Sequence, residues 1–219
     1  MGFWMPISGG ARYRRLAFNS QSIGVNRNRE HQLEGERLGL QLLFSGDRYA
    51  HRICLRQAGG WIDILSSVEG TADDAWPPSP PFQALDLECT DDGRQLALLV
   101  GMACRSHWSA SIELDSRHDL LRFEIACRTG ERLCKLLTSR YRAAAEVLCT
   151  RVKKGKMLAC MPSLRRWQLY VETCMEHSPA DLKTDASGFA VVAKHLDLGN
   201  ERRTIRWAYT IGIQATRQC

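Results

Sequence analysis

The residues best suited to chemistry lie in the central block HWSASIELDSRHDLLRFEIACR, residues 107–128. A histidine beside a carboxylate can move a proton, and histidine, carboxylate, guanidinium and hydroxyl groups all hydrogen-bond to polar ligands. Alternation along two strands places five such side chains on one face, as a candidate ligand-binding surface: His107, Ser109, Glu113, Arg122 and Glu124. No catalytic role follows for any of them, and whether the chain is an enzyme stays open.

A β-hairpin is the element expected to position these side chains. Apolar and polar residues alternate along both halves of the block, so each strand has one apolar and one polar face. A polar stretch between the two halves has turn character. The apolar pattern favours a register with Trp108 opposite Ile125 and Leu114 opposite Asp119.

In that register Glu124 lies diagonally across from His107. Glu113 lies six positions along the same strand from His107, which is about 20 Å in an extended chain. The predicted acid–base neighbours are therefore His107 and Glu124. An ordinary solvated sheet face explains the same pattern, because antiparallel sheets commonly expose one face to water.

A second candidate feature is the connector VEGTADDAWPPSPPF, from Val68 to Phe82. Its four prolines favour an extended chain and cannot lie inside a strand ladder. We interpret it as a rigid crossover between two sheets, pinned by Trp76; a ligand for a proline-reading module is the alternative. Trp76 is also a candidate stacking wall for a sugar. Three acids could extend that wall or form a calcium ligand set, although spacing alone does not establish one: Glu69, Asp73 and Asp74.

The nine cysteines are scattered and form no C-x-x-C pair. Their odd number, with no export signal at the start, predicts reduced thiols and a cytoplasmic protein. Zinc needs closely spaced ligands, so no metal site is predicted. The nucleotide, phosphate and hydrolase motifs are also missing from the sequence, so no cofactor is expected.

The formal net charge of +6 is unevenly distributed, with +5 in residues 1–56, −7 in 57–128 and +8 in 129–219. Three basic clusters stand far apart in the sequence: Arg12/Arg14/Arg15, Lys153/Lys154/Lys156 and Arg202/Arg203/Arg206. Nucleic-acid binding usually concentrates positive charge on one element. Solvated faces are therefore the favoured interpretation, and nucleic-acid binding is a weaker alternative. Because no run of about 18 apolar residues occurs, no membrane span is predicted.

Strand patterns and turn signals recur through most of the chain and predict a mainly β fold. We expect one antiparallel β-sandwich of about ten strands over residues 36–219, with one helix near 133–152. The helix rests on apolar residues recurring at intervals of three and four, and a strand over 133–141 stays an open alternative. Residues 1–35 are predicted to be a weakly ordered N-terminal segment.

Two central stretches, GGWIDILSSVEGTADDAWPPSPPFQALDLE and LALLVGMACRSHWSASIE, resemble an uncharacterised bacterial β-sandwich family. More distantly, the strand count and the long polar sheet face are similar to the sandwich of galactose mutarotases and related sugar-binding domains. That resemblance implies a fold and a sugar ligand. Mutarotases use a histidine acid and a glutamate base, but no residue here matches their motif, so no catalytic role is carried over.

These patterns leave three functional hypotheses. The first is a carbohydrate-binding sandwich that uses the polar hairpin face and Trp76. The second is a non-catalytic interaction or structural module, and the third is weak nucleic-acid binding through the basic segments. The sequence does not determine the oligomeric state.

Overall fold

The structure is a computed structural model that describes residues 13–15, 30–130, 136–153, 155–161, 167–174, 179–194 and 203–216. In this part of the chain two antiparallel β-sheets pack together around a shared aromatic and aliphatic core. The predicted antiparallel β-sandwich is confirmed. The described residues form sixteen strands rather than about ten.

Nine strands form the large sheet. In chain order they are β1 Tyr13–Arg15, β6 Phe82–Thr90, β7 Gln95–Ala103, β8 Ser106–Asp115, β9 Leu120–Thr129, β11 Leu148–Lys153, β12 Lys156–Cys160, β13 Trp167–Thr173 and β16 Arg203–Ala215. Their order across the sheet is β1-β6-β7-β8-β9-β16-β13-β12-β11.

Seven strands form the small sheet. In chain order they are β2 Glu30–Glu34, β3 Leu38–Ser45, β4 Arg48–Gln57, β5 Gly60–Ser67, β10 Thr138–Ala143, β14 Ala180–Asp185 and β15 Gly188–Ala193. Their order across the sheet is β14-β15-β10-β5-β4-β3-β2.

The two sheets share one core because alternate side chains on each strand point inward. The core includes Trp108 and Trp207 from the large sheet and Tyr141 from the small sheet, each fully buried. Burying an aromatic or aliphatic side chain of this size contributes roughly 1.5–3 kcal/mol before conformational entropy is subtracted. This burial fixes which face of each strand remains outside for function.

The hairpin predicted in residues 107–128 is confirmed as β8 and β9, with the predicted faces. Trp108 is buried and His107 is exposed. The predicted register is wrong by two residues, because Trp108 pairs with Cys127 and Leu114 with Leu121. A shift of two keeps every side chain on its face, so alternation alone does not distinguish the two registers.

The helix predicted near 133–152 is wrong over the described residues of that range, which form β10 and β11. Ser139 and Tyr141 point into the core while Arg140 lies between them on the outer face. β10 pairs with β15 on one side and β5 on the other, so neighbouring strands satisfy its backbone groups. The apolar spacing of three and four that predicted a helix arose because it combined residues from two strands and from the turn between them. Residues 131–135 lie outside the described residues.

The connector runs from β5 in the small sheet to β6 in the large sheet, so the predicted crossover is confirmed. Its prolines are packed inward: Pro77, Pro80 and Pro81 are buried and Pro78 is partly buried. A proline-reading partner needs these rings exposed, so that alternative is wrong.

Two strands lie before residue 36, where the sequence placed the start of the sandwich. β1 pairs with β6, and β2 pairs with β3. The ordered sheets therefore begin within the segment predicted to be weakly ordered; its other residues, 1–12 and 16–29, lie outside the described residues. None of the described residues belongs to a helix that could span a bilayer.

Candidate functional site

The five predicted surface residues of the hairpin all lie on the outer face of the large sheet. His107, Arg122 and Glu124 are exposed, and Ser109 and Glu113 are partly buried. They share a face, as predicted, but they do not form one cluster.

The observed register separates His107 from its predicted partner Glu124. Arg128 lies opposite His107, and Glu124 lies opposite Ser111. Ser111 is four positions from His107, which places Glu124 about 13 Å further along the sheet. The predicted His107–Glu124 acid–base pair is therefore wrong.

Two arginine side chains contact the Glu113 carboxylate. Arg94 Nη1 donates to Glu113 Oε1 at 3.1 Å, and Arg122 Nη1 lies 3.9 Å from the same oxygen. Arg122 faces Glu113 directly across the ladder, where the predicted register had placed it diagonally. These contacts give Glu113 a structural role in an ion-pair group on the sheet surface, where each pair stabilises the fold by about 0–1 kcal/mol.

The basic cluster near the C-terminus is divided between the two faces of β16. Arg206 is exposed on the outer face. Arg203 follows the inward-facing positions of the strand, and its Nε and Nη1 atoms are buried. Arg202 lies outside the described residues. Arg203 and Arg206 therefore do not form the single positive surface that nucleic-acid binding favours.

A surface cavity of about 240 Å³ lies on the outer face of the small sheet, on the side of the sandwich opposite the hairpin face. Its walls come from the connector, from β10 with the residue just before it, and from β15. The lining residues are Asp74, Trp76, Pro77, Pro78, Leu136, Thr138, Arg140 and Ala190. Trp76 therefore belongs to this cavity, apart from the five hairpin residues with which the sequence had grouped it.

The cavity exists because the connector continues along β10 where β5 ends. Val68 N donates to Arg140 O, and Ser79 bonds both backbone groups of Arg140: its Oγ accepts from Arg140 N at 3.1 Å and donates to Arg140 O at 3.2 Å. Thr138 Oγ1 donates to Pro78 O at 2.6 Å. Serine and threonine hydroxyls thus supply the sheet contacts that proline cannot, and they hold Trp76 beside the sheet.

Arg48, the first residue of β4, holds the first part of the connector near Thr71 and is only 4% exposed. Its Nε and Nη2 donate to both carboxylate oxygens of Asp47, at 2.8 and 3.0 Å, and Nη2 also donates to Thr71 O at 3.0 Å. The Asp47 carboxylate raises the pKa of Arg48 and the guanidinium lowers the pKa of Asp47. The connector is therefore tied to a buried, permanently charged group.

A buried polar chain runs between the two sheets. His51 Nε2 is 2.8 Å from Tyr141 Oη, and Tyr141 Oη is 2.7 Å from Tyr209 Oη. Trp207 Nε1 donates to Ser139 Oγ at 3.0 Å. Burial lowers the pKa of His51 to about 4 and raises that of Tyr141 well above its ordinary value. Sequence reasoning missed these hydrogen bonds, because their members come from three strands and show no common spacing.

The acids proposed as calcium ligands do not gather at one point. Glu69 Oε1 accepts from Ser67, and Asp74 Oδ2 accepts from Thr71 N. Asp73 is exposed. Among the described residues no group of three or more His, Cys, Asp or Glu side chains is placed to hold a metal ion.

By its fold the protein is an antiparallel β-sandwich. The connector between its two sheets forms one wall of the cavity described above. No protein-family model matches the chain, and a search of curated proteins found no match to it. Its function is therefore argued from the site.

Proposed function

We propose that this protein binds a carbohydrate and holds one sugar ring in the cavity beside Trp76. The proposal rests on one observation: a partly exposed indole and several polar groups line the same cavity. Concave sites with apolar walls and a few convergent polar groups are the usual form of small-ligand sites. This proposal keeps the ligand class expected from the sequence and moves the site from the hairpin to the connector.

The cavity has the two kinds of surface that a sugar ring needs. Trp76 and Pro78, which are both partly exposed, offer apolar surface to the C–H face of a sugar. Asp74 and Arg140 offer an acceptor and donors for its hydroxyl groups. Arg140 is held in place by Asp185 through a 2.7 Å contact between Nη2 and Oδ2, so the paired guanidinium favours a neutral sugar over an acidic one.

The test is a glycan array followed by calorimetry with the best ligand on the wild type and on Trp76→Ala. We expect Trp76→Ala to weaken binding at least tenfold, about 1.4 kcal/mol, because the apolar wall is lost. The matched control is Trp61→Ala. Trp61 is also partly buried in the small sheet, but it packs against Arg56, with the guanidinium 4.5 Å from the ring centre.

Three results would count against the proposal. Equal losses from Trp76→Ala and Trp61→Ala would mean that the effect is not local to the cavity. Loss of binding in Arg122→Ala with none in Trp76→Ala would return the site to the hairpin. An array on which no glycan binds would overturn carbohydrate recognition itself.

The resemblance to galactose-mutarotase-like sandwiches supports the ligand class only through architecture, since both have two packed antiparallel sheets. One further observation favours the second hypothesis, an interaction module. Val100 and Met102 are 54% and 47% exposed, side by side on the outer face of β7. If no glycan on the array binds, this exposed apolar surface becomes the favoured candidate site, and an interaction module becomes the favoured function.

A further inference from the structure

Glu69 lies where the connector leaves β5. It is partly buried, and one of its carboxyl oxygens accepts a hydrogen bond. Ser67 Oγ donates to Glu69 Oε1 at 2.6 Å, and the same Ser67 oxygen accepts from His51 N at 2.8 Å. The other oxygen, Oε2, is buried and has no hydrogen-bond partner among the described residues. A charged carboxylate in this position is poorly solvated, which costs free energy. A neutral, protonated carboxyl group pays a much smaller desolvation cost, so burial favours the protonated form.

Arg48 lies near Glu69 but gives it no hydrogen bond, because its Nε and Nη2 are directed to Asp47 and Thr71. Its remaining nitrogen, Nη1, is buried and also has no partner within the described structure. Desolvation therefore outweighs the attraction of Arg48, and burial raises the pKa of Glu69 to about 7.

The other ionisable groups that face Glu69 keep one state around neutral pH. The pKa of Asp47 is lowered by Arg48, and that of Arg48 is raised by Asp47. His51, on β4, has its pKa lowered by burial to about 4, and Tyr141, on β10, has its pKa raised well above 10. Asp74 acts on Arg48 from the connector itself. Between pH 6 and 8 Glu69 is therefore the group in this cluster that changes charge.

The next residue links Glu69 to the cavity walls. A Cβ on Gly70 would lie 2.7 Å from Asp74 Oδ2, 2.7 Å from Pro77 Cβ and 3.0 Å from Pro78 Cδ. The Gly70 backbone is thus packed against three of the residues that line the cavity. A shift of Glu69 toward solvent moves Gly70 and displaces this wall.

We propose that protonated Glu69 latches the connector closed, and that loss of this proton releases residues 68–78 and dismantles the cavity wall. The connector is then closed most firmly in acidic solution and loosens as the pH rises from 4.5 toward 7. The ligand-binding consequence rests on the proposed function, whereas the opening of the connector does not.

Hydrogen exchange of the ligand-free protein tests the latch. Opening exposes the carboxyl group to water and returns it from a pKa of about 7 to its ordinary value of 4.5. The opening equilibrium constant then rises about tenfold between pH 6 and pH 8. We expect protection factors in residues 68–78, corrected for intrinsic exchange, to fall about tenfold over this range. Backbone amides of the hairpin β8–β9 should keep theirs.

Two variants make the test specific. Glu69→Gln cannot ionise, so its protection in residues 68–78 should stay constant between pH 6 and pH 8. Glu113→Gln removes a glutamate paired with arginines on the other sheet and should behave as the wild type. A tenfold fall that persists in Glu69→Gln would overturn the latch. If Glu69→Gln fails to fold, the carboxyl ¹³C shift of Glu69 in the wild type decides: a midpoint near 7 supports the latch and one near 4.5 overturns it.

A ligand titration separates the latch from the proposed function. Affinity for the best glycan should be lower at pH 8 than at pH 6 in the wild type, by tenfold at most, because only molecules with an open connector lose binding. It should stay constant in Glu69→Gln. A pH-dependent connector in a protein that binds no glycan would overturn the proposed function alone. Glycan binding with flat protection and flat affinity would overturn the latch alone.

Discussion

Trp108 and His107 are adjacent in the chain but lie on opposite faces of the large sheet. The indole of Trp108 is 2% exposed and packs edge-on against Trp207, with ring centres 6.1 Å apart. The imidazole of His107 is exposed. Alternation assigns the two side chains separate functions, since one fills the core and the other is available to solvent.

We predict that Trp108→Ala lowers the free energy of unfolding by about 3–5 kcal/mol, because it leaves a large cavity in the core. His107→Ala should change it by less than about 0.5 kcal/mol, as for other exposed positions. Urea unfolding at neutral pH measures both. Trp108→Phe is the conservative control and should cost less than Trp108→Ala. The indole N–H has no hydrogen-bond partner in the described structure, so none is lost. Similar losses in Trp108→Ala and His107→Ala would contradict the face assignment.

At the scale of elements, Asp119 connects the turn of the β8–β9 hairpin to the other sheet. Asp119 has φ of 46° and is 6% exposed. Its Oδ1 accepts from Arg37 N at 2.9 Å and from Leu38 N at 3.2 Å, at the start of β3 in the other sheet. The carboxylate thus ties the hairpin of the large sheet to the edge of a strand in the small sheet.

We expect Asp119→Ala to lower the free energy of unfolding by about 2–3 kcal/mol, since two backbone donors lose a charged acceptor and the residue must adopt a left-handed conformation. Asp119→Asn tolerates that conformation and keeps one acceptor oxygen, so it should cost less than half as much. Thermal and urea unfolding of both variants measure the difference. Equal costs would show that the carboxylate contacts contribute little.

The same turn shows how far sequence reasoning reaches. The faces of β8 and β9 could be predicted because alternation is local, but the register could not, because registers two residues apart bury the same side chains. The contacts that fix Asp119 come from residues 81 and 82 positions away. The cavity could not be predicted for a similar reason: Trp76, Arg140 and Ala190 come from three separate segments. Trp76 and Asp74 did carry a signal, as an aromatic residue and an acid in a rigid connector.

At the scale of the whole molecule, two buried groups in one polar region have opposite effects on stability as pH changes. The folded protein excludes a proton from His51, whose pKa is lowered to about 4, so stability is lost as pH falls from 6.5 toward 4. The folded protein retains a proton on Glu69, whose pKa is raised to about 7, so stability is lost as pH rises from 4.5 toward 7. Between pH 5 and 7.5 each effect amounts to about 2 kcal/mol.

Because these contributions oppose each other, we predict that the wild type changes little in stability between pH 5 and 7.5 and that single variants reveal the two slopes. Glu69→Gln should become about 2 kcal/mol less stable on going from pH 7.5 to pH 5, since only the His51 effect remains. His51→Gln, which can still hydrogen-bond to Tyr141, should become about 2 kcal/mol more stable over the same change. The double variant controls for the other ionisable groups and should resemble the wild type. Urea unfolding at the two pH values measures all four proteins. A Glu69→Gln variant with the flat profile of the wild type would show that the carboxyl group ionises normally, and the latch proposed for Glu69 would be wrong.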